Sequence, residues 1–295
     1  MILMPMSKTS KITVLSVITL VVAVFLLLQY ADLPTVREVN DSAATSTSVA
    51  TTTKTSSTTK DTSESAKKTV FSDSDYIEVV DGCGPYFGGE CLRVHATPST
   101  DGEVVSRLRN GQVLKVSESL ISEGRRWYKV VFNEWLRHPD RIKNDWYVAA
   151  EFVWPVTAEV GDWEGKESPE PDKRIVIDLS EQTLYAYDGE VIFLETAIST
   201  GLVEGPTRPG EHTVFYKTPS RYMQGPIPGV TEDEYDLPGV PWNLYFTRDG
   251  SVIHGAYWHD HFGINWSHGC VNLPTDKAEE LYRWTPEGTV VSIQE

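Results

Sequence analysis

From about Ser74 onward the sequence is cut into short apolar runs by turn-forming dipeptides, and that punctuation favours strands over helices. Leu92-Arg93-Val94, Val104 to Leu108, Val113 to Val116, Trp127 to Phe132 and Trp146 to Val148 are such runs. Between them stand Pro98-Ser99-Thr100-Asp101-Gly102, Asn110-Gly111 and other polar stretches. Asn, Asp and Gly tolerate the positive φ of tight hairpin turns, so these dipeptides mark strand reversals. Five or six strands without a convincing helix predict a small barrel over residues 74–155.

Residues 156–172 are acidic and contain Pro and Gly, the composition of a linker. Strand signals return over residues 173–295. Arg174 to Asp178 reads as a buried strand. Thr183 to Tyr187 and Val191 to Leu194 flank Asp188-Gly189, and Leu244 to Thr247 and Val252 to His254 flank Asp249-Gly250; both pairs predict hairpins. His212 to Tyr216 predicts a further strand. One short helix is expected from Asp276 to Trp284, N-capped by Thr275, with a final strand from Thr289 to Ile293. Arg221 to Trp242 reads either as a solvated acidic loop or as a lid that shapes a substrate cleft.

The N-terminal third is different. Ile12 to Leu28 is an almost unbroken apolar run, and about 17 residues at a helical rise span about 25 Å, close to the minimum for a bilayer. Lys8 and Lys11 precede it, so the positive-inside rule puts residues 1–11 in the cytoplasm and everything after the anchor, residues 12–30, outside. A cleaved signal peptide is the rival reading. Residues 31–73 are rich in Ser and Thr and poor in large apolar residues, which predicts a disordered tether. The expected class is therefore mainly β: a transmembrane helix, a small barrel and a β-rich C-terminal domain with one short helix. A net charge of −16 gives no basic stripe, so nucleic acid is excluded as a partner.

There are three cysteines. Cys83 and Cys91 are close enough for a local bridge, worth about 2.6 kcal/mol at most; two reduced buried thiols are the alternative. Cys270 stands alone, within Ser267-His268-Gly269-Cys270-Val271-Asn272, and Ile253-His254-Gly255 precedes it. A thiol attacks as thiolate and needs a base or a cation nearby. Extension would put His268 on the same face as Cys270. A hairpin-like return would bring His254 beside it. Gly269 permits close backbone approach to a substrate, and a free N–H at Gly269 or Cys270 is a candidate oxyanion donor.

His254-Gly255 with Ser267-His268-Gly269-Cys270-Val271-Asn272 resembles the signature of the L,D-transpeptidase catalytic domain, the YkuD-like family. Ile175 to Tyr187, Ser199-Thr200-Gly201 and Thr207-Arg208-Pro209-Gly210 resemble that domain's earlier segments, so the likeness spans about 120 residues. Cys91 to Ser99, Trp127 to Val130 and Trp146 to Val148 resemble bacterial SH3-like modules, which bind wall peptides or space domains.

The first resemblance implies an enzyme acting on peptidoglycan stem peptides as donor and acceptor, which the N-terminal apolar run would anchor to the membrane. Cys270 is then the nucleophile and releases D-alanine; His254 is the proton donor and acceptor, oriented by the Gly255 carbonyl. His268, Ser267 and Asn272 support the site, and the product is a 3→3 cross-link. It also implies acylation by carbapenems.

No cofactor and no metal are expected. A zinc site at His259-Asp260-His261 with His268 and Cys270 is the alternative from another class. NlpC/P60-like peptidases place Cys before His, and sortases have a much longer His-to-Cys interval. An L,D-carboxypeptidase hydrolysing the same bond and a non-enzymatic wall-binding protein are the remaining alternatives.

Overall fold

The computed structural model describes residues 69–70, 75–84, 91–158 and 172–295. The expected tail (1–11), anchor (12–30) and nearly all of the tether (31–73) lie outside them, as does most of the acidic linker. Among the described residues, no helix is long and apolar enough to cross a membrane.

The smaller module is one sheet ordered β4-β3-β7-β6-β5-β2-β8. Its strands are β2 (Asp75–Val79), β3 (Leu92–His95), β4 (Val104–Leu108), β5 (Val113–Ser122), β6 (Arg125–Val130), β7 (Trp146–Ala149) and β8 (Val153–Thr157). A two-residue strand β1 (Thr69–Val70) pairs with β5, so ordered structure reaches into the stretch expected to be a tether. The sequence reading missed β2 and β8, which pair with each other from Asp75↔Thr157 to Val79↔Val153. Pro155 is tolerated in β8 because β8 is a sheet edge, where a missing N–H costs no ladder bond. Ile77, Val94, Leu108, Leu114 and Val148 fill the module's core. Cys83 and Cys91 are joined by a disulfide.

The C-terminal domain has two sheets. The first is ordered β11-β10-β9-β17-β12 and the second β13-β14-β15-β16. The first contains β9 (Lys173–Asp178), β10 (Thr183–Asp188), β11 (Val191–Ala197), β12 (Gly210–Thr213) and β17 (Val290–Gln294). The second contains β13 (Tyr216–Gln224), β14 (Asp236–Tyr245), β15 (Val252–Gly255) and β16 (Val271–Leu273). The strand expected over His212 to Tyr216 is thus divided: fully buried Val214 marks where the chain leaves one sheet for the other.

Helix α1 (Thr275–Trp284) packs Ala278, Leu281 and Tyr282 into the core with Leu244, Ile253 and Val271. Its N-cap is Pro274, not Thr275, and no side chain caps it. Proline's φ of −51° leads directly into the helix, so Thr275 becomes the first helical residue.

The segment Arg221 to Trp242 is not a solvated loop. β13 and β14 form a long hairpin, paired from Tyr216↔Tyr245 to Gln224↔Asp236 with a shift of register between Arg221 and Met223, and only residues 225–235 form the tip.

The module and the hairpin are packed together. Val113 of β5 lies in the C-terminal core. Glu134 pairs with Arg221 and accepts the Tyr222 N–H at 3.0 Å. Gln224 exchanges two hydrogen bonds with the His138 backbone, and Arg141 pairs with Asp236 at 2.8 Å. The module therefore grips the hairpin on both sides of its tip.

Candidate active site

Side chains alternate across a sheet, so register decides which residues share a face. Leu244, Ile253 and Val271 are opposite one another and point into the core. Their neighbours Tyr245, Val252, His254 and Asn272 therefore point to the other face. β15 and β16 are parallel, with His254 opposite Asn272. This corrects the expected hairpin-like return: residues 256–270 carry the chain over the sheet and start β16 beside the beginning of β15. Continuing the register places Cys270 opposite Val252, whose N–H donates to the sulfur. Cys270 thus enters the face that holds His254.

Residues 267–270 form a turn, not an extended segment. Gly269 has φ +114°, a conformation that L side chains rarely adopt. The Ser267 hydroxyl accepts the Gly269 N–H at 3.2 Å and donates to the Cys270 carbonyl at 2.5 Å. The Gly269 N–H is therefore engaged, and the candidate oxyanion donor narrows to the Cys270 N–H. The turn also removes the premise that His268 shares a face with Cys270. His268 is exposed and lies 3.6 Å from Asp233 on the hairpin tip. Ser267→Ala leaves both bonds unmade in a buried place. We expect a loss of about 2 kcal/mol, read from the denaturation midpoint.

His254 is buried, and its Nδ1 lies 3.0 Å from the Gly255 carbonyl oxygen. Only a protonated Nδ1 can donate to that carbonyl, which leaves Nε2 as the free lone pair. Burial pushes the His254 pKa down to about 4, so the ring is neutral at pH 7. Burial pushes the Cys270 pKa up to about 11, although the Val252 N–H acts the other way. The resting pair is accordingly thiol and imidazole rather than an ion pair. Gly255 has no room for a side chain: a Cβ there would meet Pro241 at 2.9 Å and Thr275 at 3.2 Å.

His259, Thr207 and Tyr235 escaped the sequence reading as residues of this site. Asn272 bonds His259 Nε2 at 2.9 Å, and His259 Nδ1 accepts the His261 N–H at 3.2 Å. The amide nitrogen Nδ2 of Asn272 is the atom placed against His259 Nε2 while Oδ1 is buried without a partner; a neutral ring that accepts at Nδ1 must donate at Nε2, so turning the amide over satisfies both groups. Asn272 thereby ties β16 to the 256–270 crossover, and its backbone exchanges two bonds with Ser199. His259, weighed earlier as a zinc ligand, is committed to this contact. Thr207 accepts the Gly201 N–H and donates to the Gly269 carbonyl at 3.0 Å, bracing the cysteine turn from behind. Tyr235, where the hairpin tip returns, has its phenol pKa raised to about 12 by burial and by a thiolate at Cys270.

His259 is also pushed down to about 4, chiefly by burial. Both imidazoles refuse protons in the folded state that the unfolded chain accepts near pH 6.5. Their contribution to stability is full above about pH 6.5 and is lost as pH falls towards about 4. Thermal midpoints measured across this window should fall steadily with acidification. His254→Gln should flatten part of that slope, and a midpoint independent of pH would refute the assignment.

Residues 172–293 match the L,D-transpeptidase catalytic domain, YkuD, and residues 91–147 match the bacterial SH3 domain. A Mycobacterium tuberculosis protein described as "Probable L,D-transpeptidase 3" is 34% identical over 101 residues. That match covers 33% of this chain and 37% of the relative, so the chain spans little more than a third of the curated relative's length. Among solved structures, a mutant of the Enterococcus faecium L,D-transpeptidase is 27% identical, covering 42% of this chain and 50% of that one, with a TM-score of 0.39. An L,D-transpeptidase from Mycobacterium smegmatis is 19% identical, covering 58% and 92%, also with a TM-score of 0.39. Residues 172–293 thus carry an L,D-transpeptidase catalytic domain, YkuD, and residues 91–147 before them a bacterial SH3 domain.

Proposed function

We propose that the protein is a membrane-anchored L,D-transpeptidase that forms 3→3 cross-links between peptidoglycan stems. The observation that supports this reading is the parallel register of β15 and β16, in which His254 is opposite Asn272, two residues after Cys270. His254 Nε2 takes the thiol proton as sulfur attacks the carbonyl of the third stem residue. The Cys270 N–H faces the developing oxyanion. The C–N bond to D-alanine breaks, His254 returns the proton to the leaving amine, and a thioester remains. A side-chain amine from a second stem attacks that carbonyl, the C–S bond breaks, and the amine's proton passes through His254 back to sulfur. Ser267, Gly269 and Asn272 hold the turn in place, and His268 with Asp233 joins the turn to the hairpin tip.

The site faces the outside of the cytoplasmic membrane in this reading. The apolar run Ile12 to Leu28 supplies the anchor, and the Cys83–Cys91 disulfide suits an oxidising compartment. Purified protein incubated with disaccharide-tetrapeptide tests the activity. D-alanine release with a cross-linked dimer supports transfer, release without dimer makes it a carboxypeptidase, and no release overturns the proposal.

A further inference from the structure

A cavity of about 400 Å³ lies where the module meets the hairpin, within the range of small-molecule sites. Tyr76 and Lys115 of the module, the Phe132–Glu134 loop, and Tyr216, Thr218 and Tyr245 of the hairpin line it. The catalytic chemistry described above uses none of these residues.

The cavity opens on the sheet face that carries Cys270. Tyr216 is opposite Tyr245 and Tyr245 is opposite Val252, and the register continued one step before β16 sets Cys270 beside Val252. These four residues form one row across the sheet. Lys217 and Leu244, one step along, point the other way: the Lys217 ammonium reaches the carbonyls at Tyr282 and Thr285, beside helix α1. With strands about 4.8 Å apart, Tyr245 stands about 10 Å from the cysteine's strand. The side chain of a diamino acid spans roughly 6 Å, and an attacking amine stops about 3 Å short of its carbonyl. A peptide whose backbone fills the cavity thus delivers its amine to a thioester on Cys270.

The charges suit such a ligand. Glu134 is occupied by Arg221 and by the Tyr222 N–H. Lys115 lies over the Tyr76 ring, 5.9 Å from its centroid. Glu134 and Arg221 neutralise each other, which leaves Lys115 as the cation that favours a bound carboxylate.

We infer that this cavity, built jointly by the SH3-like module and the β13–β14 hairpin, is the acceptor subsite, binding the carboxylate-bearing backbone of the stem peptide whose amine resolves the thioester. The inference rests on the transpeptidase reading and assigns its second half-reaction. In that step the acceptor C–N bond forms, the C–S bond breaks, and the proton returns to sulfur through His254.

The test separates the two half-reactions in the whole protein. Lys115→Glu reverses the proposed carboxylate contact, and Thr218→Trp fills the cavity. We expect each to raise the KM for acceptor tetrapeptide about tenfold, the size of one lost charge-assisted contact. The ratio of dimer to hydrolysed donor should fall alongside. Acylation by a carbapenem, which no acceptor enters, should change less than twofold. Unchanged acceptor KM and dimer ratio in both variants would overturn the inference, as would an equal fall in acylation and transfer. A wild type that forms no acyl-enzyme would overturn the transpeptidase reading itself, and the subsite with it.

Discussion

Cys270→Ala is expected to abolish the acyl-enzyme, with turnover falling by on the order of 10⁴-fold or more. Whole-protein mass spectrometry after carbapenem treatment should show one adduct on the wild type and none on the variant. The cause is chemical rather than structural. The other two cysteines are joined to each other, so no second thiol can substitute. The lost side chain sits above a turn whose shape depends on Ser267 and Gly269, so the variant should fold and melt close to the wild type. Cys270→Ser should be nearly as inactive, because an alcohol is a far weaker nucleophile than a thiol. An adduct that persists on the alanine variant would place the nucleophile elsewhere.

His254→Gln is expected to slow acylation by about 10²- to 10⁴-fold and, more tellingly, to change its pH dependence. In the wild type the base is neutral above about pH 4, so acylation should be nearly flat through neutrality. Without the base only pre-formed thiolate reacts. Burial holds the thiol pKa near 11, so the rate in the variant should rise about tenfold per pH unit towards that value. A variant that is slow but keeps the flat profile would mean that His254 shapes the site without moving the proton.

What could be read from the sequence divides along physical lines. Local signals survived. Asp188-Gly189 and Asp249-Gly250 are turns between paired strands, and Gly189 and Gly250 have the positive φ that those turns need. The cysteine motif was legible because its residue types are chemically specific. Non-local facts were not legible. Nothing in a sequence says whether β16 returns parallel or antiparallel to β15, and that choice sets the neighbours of Cys270. The partnership of Asn272 with His259 depends on the same crossover.

The β13–β14 hairpin was hidden by its own composition. Pro219, Pro238 and Pro241 stand within it, and Pro219 lies on an edge strand. β14 pairs with β15 only at Leu244 and Tyr245, so the two prolines before them need no donor on that side. Trp242 adds a backbone feature that no propensity suggests. It is almost fully buried at φ +61°, and it bends β14 between the register pairs at Pro241 and Asn243.

The grip of the module on the hairpin bears on where the gene can sensibly be cut. The family match begins at residue 172, which invites expression of that portion alone. Such a fragment would keep the cysteine, the histidine and the crossover. It would lose the partners of Arg221, Gln224 and Asp236, would lay bare the surface now covered by Val113, and would leave one wall of the 400 Å³ cavity missing. The unit that inheritance would have to transmit intact is therefore the pair of domains, and recombination at the linker would yield chains that carry the signature residues without the surroundings that make them useful.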